Sequence, residues 1–66
     1  MKIDKNNTVG EVVKNYPEVI RTLMSFGMGC VGCPSAQAET LEEAAGVHGL
    51  DVDMLLEALN KTVEGN

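Results

Sequence analysis

The stretch Gly27-Met28-Gly29-Cys30-Val31-Gly32-Cys33-Pro34 constrains the fold more than any other part of the chain. Three glycines and a proline this close together suit neither continuous helix nor continuous strand. The stretch therefore divides the chain into two helix-like halves. It also holds both cysteines of the sequence at Cys-x-x-Cys spacing. That spacing lets two sulfurs bond each other or share one metal ion. As a structural staple the pair is poor: in the chain-entropy model so small a ring stabilises by about 2 kcal/mol, against roughly 3 kcal/mol for a loop of fifteen residues. Thiol chemistry and metal ligation are the better expectations.

On either side the chain carries helix signals. Thr8-Val9-Gly10-Glu11 places a Thr three residues before a Glu, so side chain and backbone can cap each other. Val9, Val12, Val13 and Tyr16 then form one apolar stripe. Pro17 closes this helix and suits the first position of the next. Val19, Ile20, Leu23, Met24 and Phe26 are its expected buried face, and Gly27 its stop. Beyond the cysteines, Pro34 opens a helical stretch over Ser35-Ala36-Gln37-Ala38-Glu39 and puts Cys33 at or near its N-cap. Thr40-Leu41-Glu42-Glu43 repeats the Thr-x-x-Glu box, with Leu41, Ala44, Ala45 and Val47 inward and an end near His48-Gly49. Asp51 is a good N-cap for a last helix with Val52, Leu55, Leu56, Leu59 and Val63 inside. The sequence contains no strand alternation, repeat or linker. The expectation is one all-α domain over residues 1–66, a compact array of four to five short helices with the Cys loop between the second helix and the next.

Composition narrows the function classes. A chain of 66 residues buries only about 60% of its unfolded surface, so its core is modest. A net charge of -5, a pI near 4.5, one Tyr, one Phe and no Trp argue against nucleic acid, which calls for basic patches and stacking aromatics. A membrane surface is disfavoured on the same grounds. Met1-Lys2-Ile3-Asp4-Lys5-Asn6-Asn7 turns polar at once, unlike a signal peptide, and no apolar run is long enough to span a bilayer. A cytoplasmic location is expected, where a lone Cys-x-x-Cys is more often redox-active or metal-binding than structural. Residues before the loop sum to +1 and those after it to -6. The acidic half keeps a small protein soluble and is able to steer a basic partner surface.

Three function classes follow from the loop. In the first, Cys30 and Cys33 form a redox disulfide. The helix opened by Pro34 would favour an anion at its N-terminus, which makes Cys33 the expected attacking thiol and Cys30 its resolving partner. A thioredoxin-like enzyme is not expected, because the β-α-β framework is missing and Pro34 follows both cysteines. A redox accessory domain fits better than a stand-alone enzyme. In the second class the same two thiolates bind zinc or an iron-sulfur cluster. Such a site needs about four ligands, so two chains would pool their cysteines; His48 near a helix end reads as a cap before it reads as a ligand. In the third the chain is a protein-docking module without chemistry, in which Met28 and Val31 offer a partner protein an adaptable apolar contact unless they tuck into the core.

The segments Thr8 to Val13, Tyr16-Pro17, Gly27 to Pro34, Glu39 to Ala45 and His48 to Asp51, taken in order, resemble the hybrid-cluster-protein-associated redox disulfide domain, a small bacterial and archaeal family. The resemblance spans nearly the whole chain. It implies a compact helical domain, a redox-active disulfide at Cys30 and Cys33 without a cofactor, and a redox partner protein of the iron-sulfur, hybrid-cluster kind. The opening is also similar to the N-terminal domain of the di-iron cluster-repair proteins, where adjacent cysteines replace the spaced pair.

Overall fold

The computed structural model describes residues 2–29 and 31–64. Among them it forms five helices: α1 (Val9–Asn15), α2 (Val19–Ser25), α3 (Pro34–Gln37), α4 (Leu41–Val47) and α5 (Val52–Glu64). The fold is all-α.

The starts of α1 and α4 are built against each other. An α-helix leaves its first amide N–H groups without intrahelical acceptors. In α4, Leu41 N–H donates to Asn7 O at 2.9 Å, Glu42 N–H to Lys5 O at 3.1 Å, and Glu43 N–H to Thr40 Oγ1 at 3.1 Å. Glu43 Oε1 in turn accepts from Thr40 N–H at 2.9 Å, completing the box. In α1, Val9 N–H donates to Glu39 O at 2.9 Å and Glu11 N–H to Thr8 Oγ1 at 3.1 Å. Each helix thus borrows a carbonyl from the residue preceding the other's N-cap, and Thr8 and Thr40 face each other as an isolated antiparallel bridge. The glutamate of the first box departs from expectation: Glu11 Oε1 accepts from Asn7 Nδ2 at 2.9 Å. The Asn7 carboxamide is set up for this by its own turn, in which Asn7 Oδ1 accepts from Asp4 N–H at 2.7 Å. The Lys5–Glu42 ion pair across the same junction spans 3.6 Å and is about half exposed, so it adds little.

The helix ends obey the same accounting. At the end of α2, Gly27 takes φ +85°, Gly27 N–H donates to Met24 O at 2.9 Å, and Met28 N–H to Leu23 O at 3.1 Å. α4 ends in the same way around Gly49, with Leu50 N–H on Ala45 O at 2.8 Å. Only glycine adopts this backbone at no steric cost, and the pair of bonds satisfies carbonyls that the helix leaves open. Asp51 caps α5, its carboxylate accepting from Asp53 N–H at 2.9 Å.

α5 packs on α2 and α4, and α1 on α2 and α3. The core between them holds Val9, Val12, Val19, Leu23, Leu41, Ala44, Ala45, Leu55 and Leu59, together with Ile3, Met28 and Val31. Val13, Tyr16, Ile20, Phe26, Val52, Leu56 and Val63 pack against it partly buried, and two residues expected inside are instead exposed. Met24 is 56% exposed and Val47 70% exposed. Val47 falls roughly 240° around α4 from Leu41, on the outer side, and Met24 falls past the edge of the Val19, Ile20 and Leu23 stripe. Ile3 enters the core through a polar partner: Asn60 Oδ1 accepts from Ile3 N–H at 2.9 Å, and Asn60 Nδ2 donates to Ile3 O at 3.0 Å and to Leu56 O at 2.9 Å. Asn60 is buried, and its carboxamide satisfies both the N–H and the C=O of Ile3. Between α2 and α5, the Thr22 and Thr62 hydroxyls meet at 2.8 Å; Thr62 donates to Ala58 O, so Thr22 is the donor between them.

No helix among the described residues is long and apolar enough to cross a membrane. Thr40→Ala removes the side-chain half of the complete box and is expected to cost about 1 to 2 kcal/mol, read as a lowered urea midpoint at unchanged slope. Asn60→Leu strands the N–H and C=O of Ile3 in the core. It is expected to cost about 2 kcal/mol or more in the same assay.

Candidate functional site

The cysteine loop is held at both ends by the fold. It leaves α2 through Gly27, whose turn delivers Met28 into the core, 3% exposed. Cys30 lies outside the described residues. Val31, immediately after it, is again buried. Cys33 is the N-cap of α3, with extended backbone (φ -78°, ψ 134°), and its thiol is exposed and makes no capping bond. Pro34 occupies the first turn of α3, as the sequence suggests. α3 is four residues, a single turn, so it stacks few peptide dipoles behind Cys33. Exposure is what marks this sulfur out.

One residue ties the segment between the cysteines to α3. Gln37 N–H donates to Cys33 O at 2.9 Å, and Gln37 Nε2 donates to Val31 O at 3.0 Å. Gln37 is itself backed by α1. A Cβ built on Gly10 would lie 2.9 Å from Gln37 Cβ and 3.2 Å from Gln37 O. The absence of a side chain at Gly10 therefore sets how closely α3 seats on α1. The sequence marks Gly10 only as a residue of the capping box, and Gln37 only as part of a helical stretch.

Under the loop, Val9, Met28, Val31, Ala36, Glu39, Ala44 and His48 line a cavity of about 20 Å³, room for about one water molecule. His48 is the C-cap residue of α4, its backbone N–H on Ala44 O at 3.2 Å, and its side chain is exposed. Among the described residues no three His, Cys, Asp or Glu side chains gather as a metal-holding group. The apolar contact expected from Met28 and Val31 is not on the surface, because both side chains are spent on the core. Among the described residues the exposed large apolar side chains are Met24, Val47 and Met54, none of them in the loop.

These features define a small helical domain of reciprocally capped helices that presents a Cys-x-x-Cys segment on a pinned loop. Residues 3–56 match the family described as Domain of unknown function (DUF1858), and the chain belongs to that family. It is similar to the solution structure of an uncharacterized protein from Methanocaldococcus jannaschii, with 37% identity, a TM-score of 0.89, and coverage of 98% of this chain and 89% of that one. No curated protein matches the chain.

The Gly10 contact makes a prediction in which two effects oppose. Gly to Ala inside a helix gains up to about 1 kcal/mol of propensity, whereas overpacking costs about 1 to 3 kcal/mol. At Gly10 the contact with Gln37 wins, and Gly10→Ala is expected to lower stability by roughly 1 kcal/mol. At Gly46, where an added Cβ meets nothing within 4 Å, only the propensity term acts. Gly46→Ala is expected to raise stability by about 0.5 to 1 kcal/mol, and urea titration of the two variants side by side checks the sign of each.

Proposed function

We propose that the chain is a thiol-disulfide redox module whose Cys30 and Cys33 cycle between dithiol and disulfide, serving a redox partner protein of the iron-sulfur, hybrid-cluster kind. The observation that carries this reading is the exposed Cys33 thiol at the head of α3, on a loop whose flanking apolar side chains Met28 and Val31 are buried. The sulfur is open to a partner while its backbone is held. Cys30 joins it by the Cys-x-x-Cys spacing, and the resemblance of Gly27 to Pro34 to the redox disulfide domain supports both the pair and the class of partner.

The exchange balances without a cofactor. Cys33 as thiolate attacks one sulfur of a partner disulfide, the partner S–S bond breaks, and the departing sulfur takes up a proton. Cys30 then loses its proton and attacks Cys33 Sγ, which closes the intramolecular disulfide and releases the partner's second thiol. Two electrons and two protons pass to the partner disulfide, and the reverse sequence lets a partner dithiol reduce the module. The acidic second half of the chain suits a basic surface around the partner's sulfurs.

The test is equilibration of metal-free protein against glutathione and dithiothreitol buffers with mass-spectrometric readout. A single two-electron transition between about -180 and -300 mV is expected. Cys33→Ser is expected to abolish it, and Cys30→Ser to leave Cys33 trapped as a mixed disulfide with glutathione. A wild-type protein that forms no intramolecular disulfide, or that is isolated with one metal ion or cluster per two chains, overturns the redox reading in favour of shared ligation.

A further inference from the structure

Resting on that redox reading, we propose that Gln37 is a positioning residue for the Cys30 and Cys33 pair, acting by clamping the backbone from Val31 to Cys33 and thereby favouring ring closure. Three observations converge on it. First, its side-chain Nε2 holds Val31 O at 3.0 Å and its own N–H holds Cys33 O at 2.9 Å, so one residue grips the loop on both sides of Gly32. Second, the loop's entry is held by the Met28 N–H bond to Leu23 O and its depth by the burial of Met28 and Val31, while the directional bonds from Gln37 fix the path of the backbone from Val31 to Cys33. Third, Gln37 sits at the close approach of α3 to α1, where a Cβ built on Gly10 would lie 2.9 Å from Gln37 Cβ and 3.2 Å from Gln37 O.

Closing a disulfide requires the two sulfurs to be brought within a narrow range of separation and torsion. In a segment with Gly29 and Gly32, the free chain spends much of its time elsewhere. A clamp on Val31 and Cys33 removes part of that freedom in advance, so less is lost when the ring forms. Gln37 touches neither the partner nor a reacting sulfur in this scheme, and its effect appears in the equilibrium between dithiol and disulfide.

The experiment compares wild type with Gln37→Met, which keeps the stem against Gly10 and deletes the donor, and with Gln37→Glu, which puts an acceptor where the donor was. Each is equilibrated with glutathione buffers, and the equilibrium constant for forming the intramolecular disulfide is read. A net intramolecular hydrogen bond corresponds to roughly a two- to tenfold effect on an equilibrium, so Gln37→Met is expected to lower the constant by that factor and Gln37→Glu by at least as much. Thr22→Val, which removes a hydroxyl contact between α2 and α5, is the control: it is expected to lower the thermal midpoint and leave the disulfide equilibrium within twofold of wild type. If the Gln37 variants move the constant no further than Thr22→Val does, Gln37 is a packing residue and the inference fails. Should either Gln37 variant not fold, the other carries the comparison. A wild-type chain that forms no disulfide at all sinks the redox reading and this inference together, whereas a normal wild-type disulfide with unresponsive Gln37 variants sinks this inference alone.

Discussion

Everything in this fold hangs on the exchange of carbonyls between the starts of α1 and α4. Helices of seven residues are too short to persist alone in water, and both helices are of that length. Each gains a first-turn acceptor only when the other is beside it, through Val9 N–H on Glu39 O and Leu41 N–H on Asn7 O. The same junction brings Val9 and Leu41 into the core side by side with Ala44. The polar accounting and the apolar packing therefore demand one arrangement, which is what gives a chain with so small a core a single structure.

The site inherits its geometry from this junction in two steps. α1, fixed by its cap, offers the bare Cα of Gly10 to Gln37, and Gln37 in turn fixes the path of the chain from Val31 to Cys33. From the other side, the left-handed turn at Gly27 passes the loop directly from α2 to a buried Met28. The glycines of the loop thus have unequal jobs. Gly27 closes a helix, while Gly29 and Gly32, with open space around them, leave the loop surface uncrowded.

Features encoded within a few neighbouring residues are legible in the sequence. Thr8 and Thr40 as caps, Asp51 at the head of α5, Gly27 as a stop and Cys33 ahead of Pro34 all depend on bonds spanning six positions or fewer, and each is found where the local pattern puts it. What spacing alone does not reveal is who pairs with whom. The two Thr boxes look like independent signals, and only the folded chain shows that they complete each other. Ile3 is a lone apolar residue in a polar stretch, and its burial depends on Asn60, 57 positions away. Asn60 in turn looks like a surface residue until its carboxamide is seen bridging Ile3 and Leu56. Met24 and Val47 go astray for another reason: in a helix of two turns the apolar stripe is short, and one residue past its edge is in solvent. Gln37 and Gly10 are silent because close approach is a property of two helices, and neither residue carries a periodic or motif signal of its own.

Thr8 and Thr40 stand 32 positions apart, and their pairing turns the intervening chain into a closed circuit with the bridge as its neck. α2, the cysteine loop and α3 all lie on this circuit. Releasing the segment from Gly27 to Gln37 requires giving up the Gln37 bonds, the seat of α3 on α1 and the burial of Met28 and Val31. The neck, the Asn60 clamp on Ile3 and the contact of α4 with α5 lie off that segment and survive. The cysteine segment can therefore yield as a unit of its own, in the manner of a low-stability cooperative region. The fold confines such an opening to one loop, with the rest of its small core kept out of water.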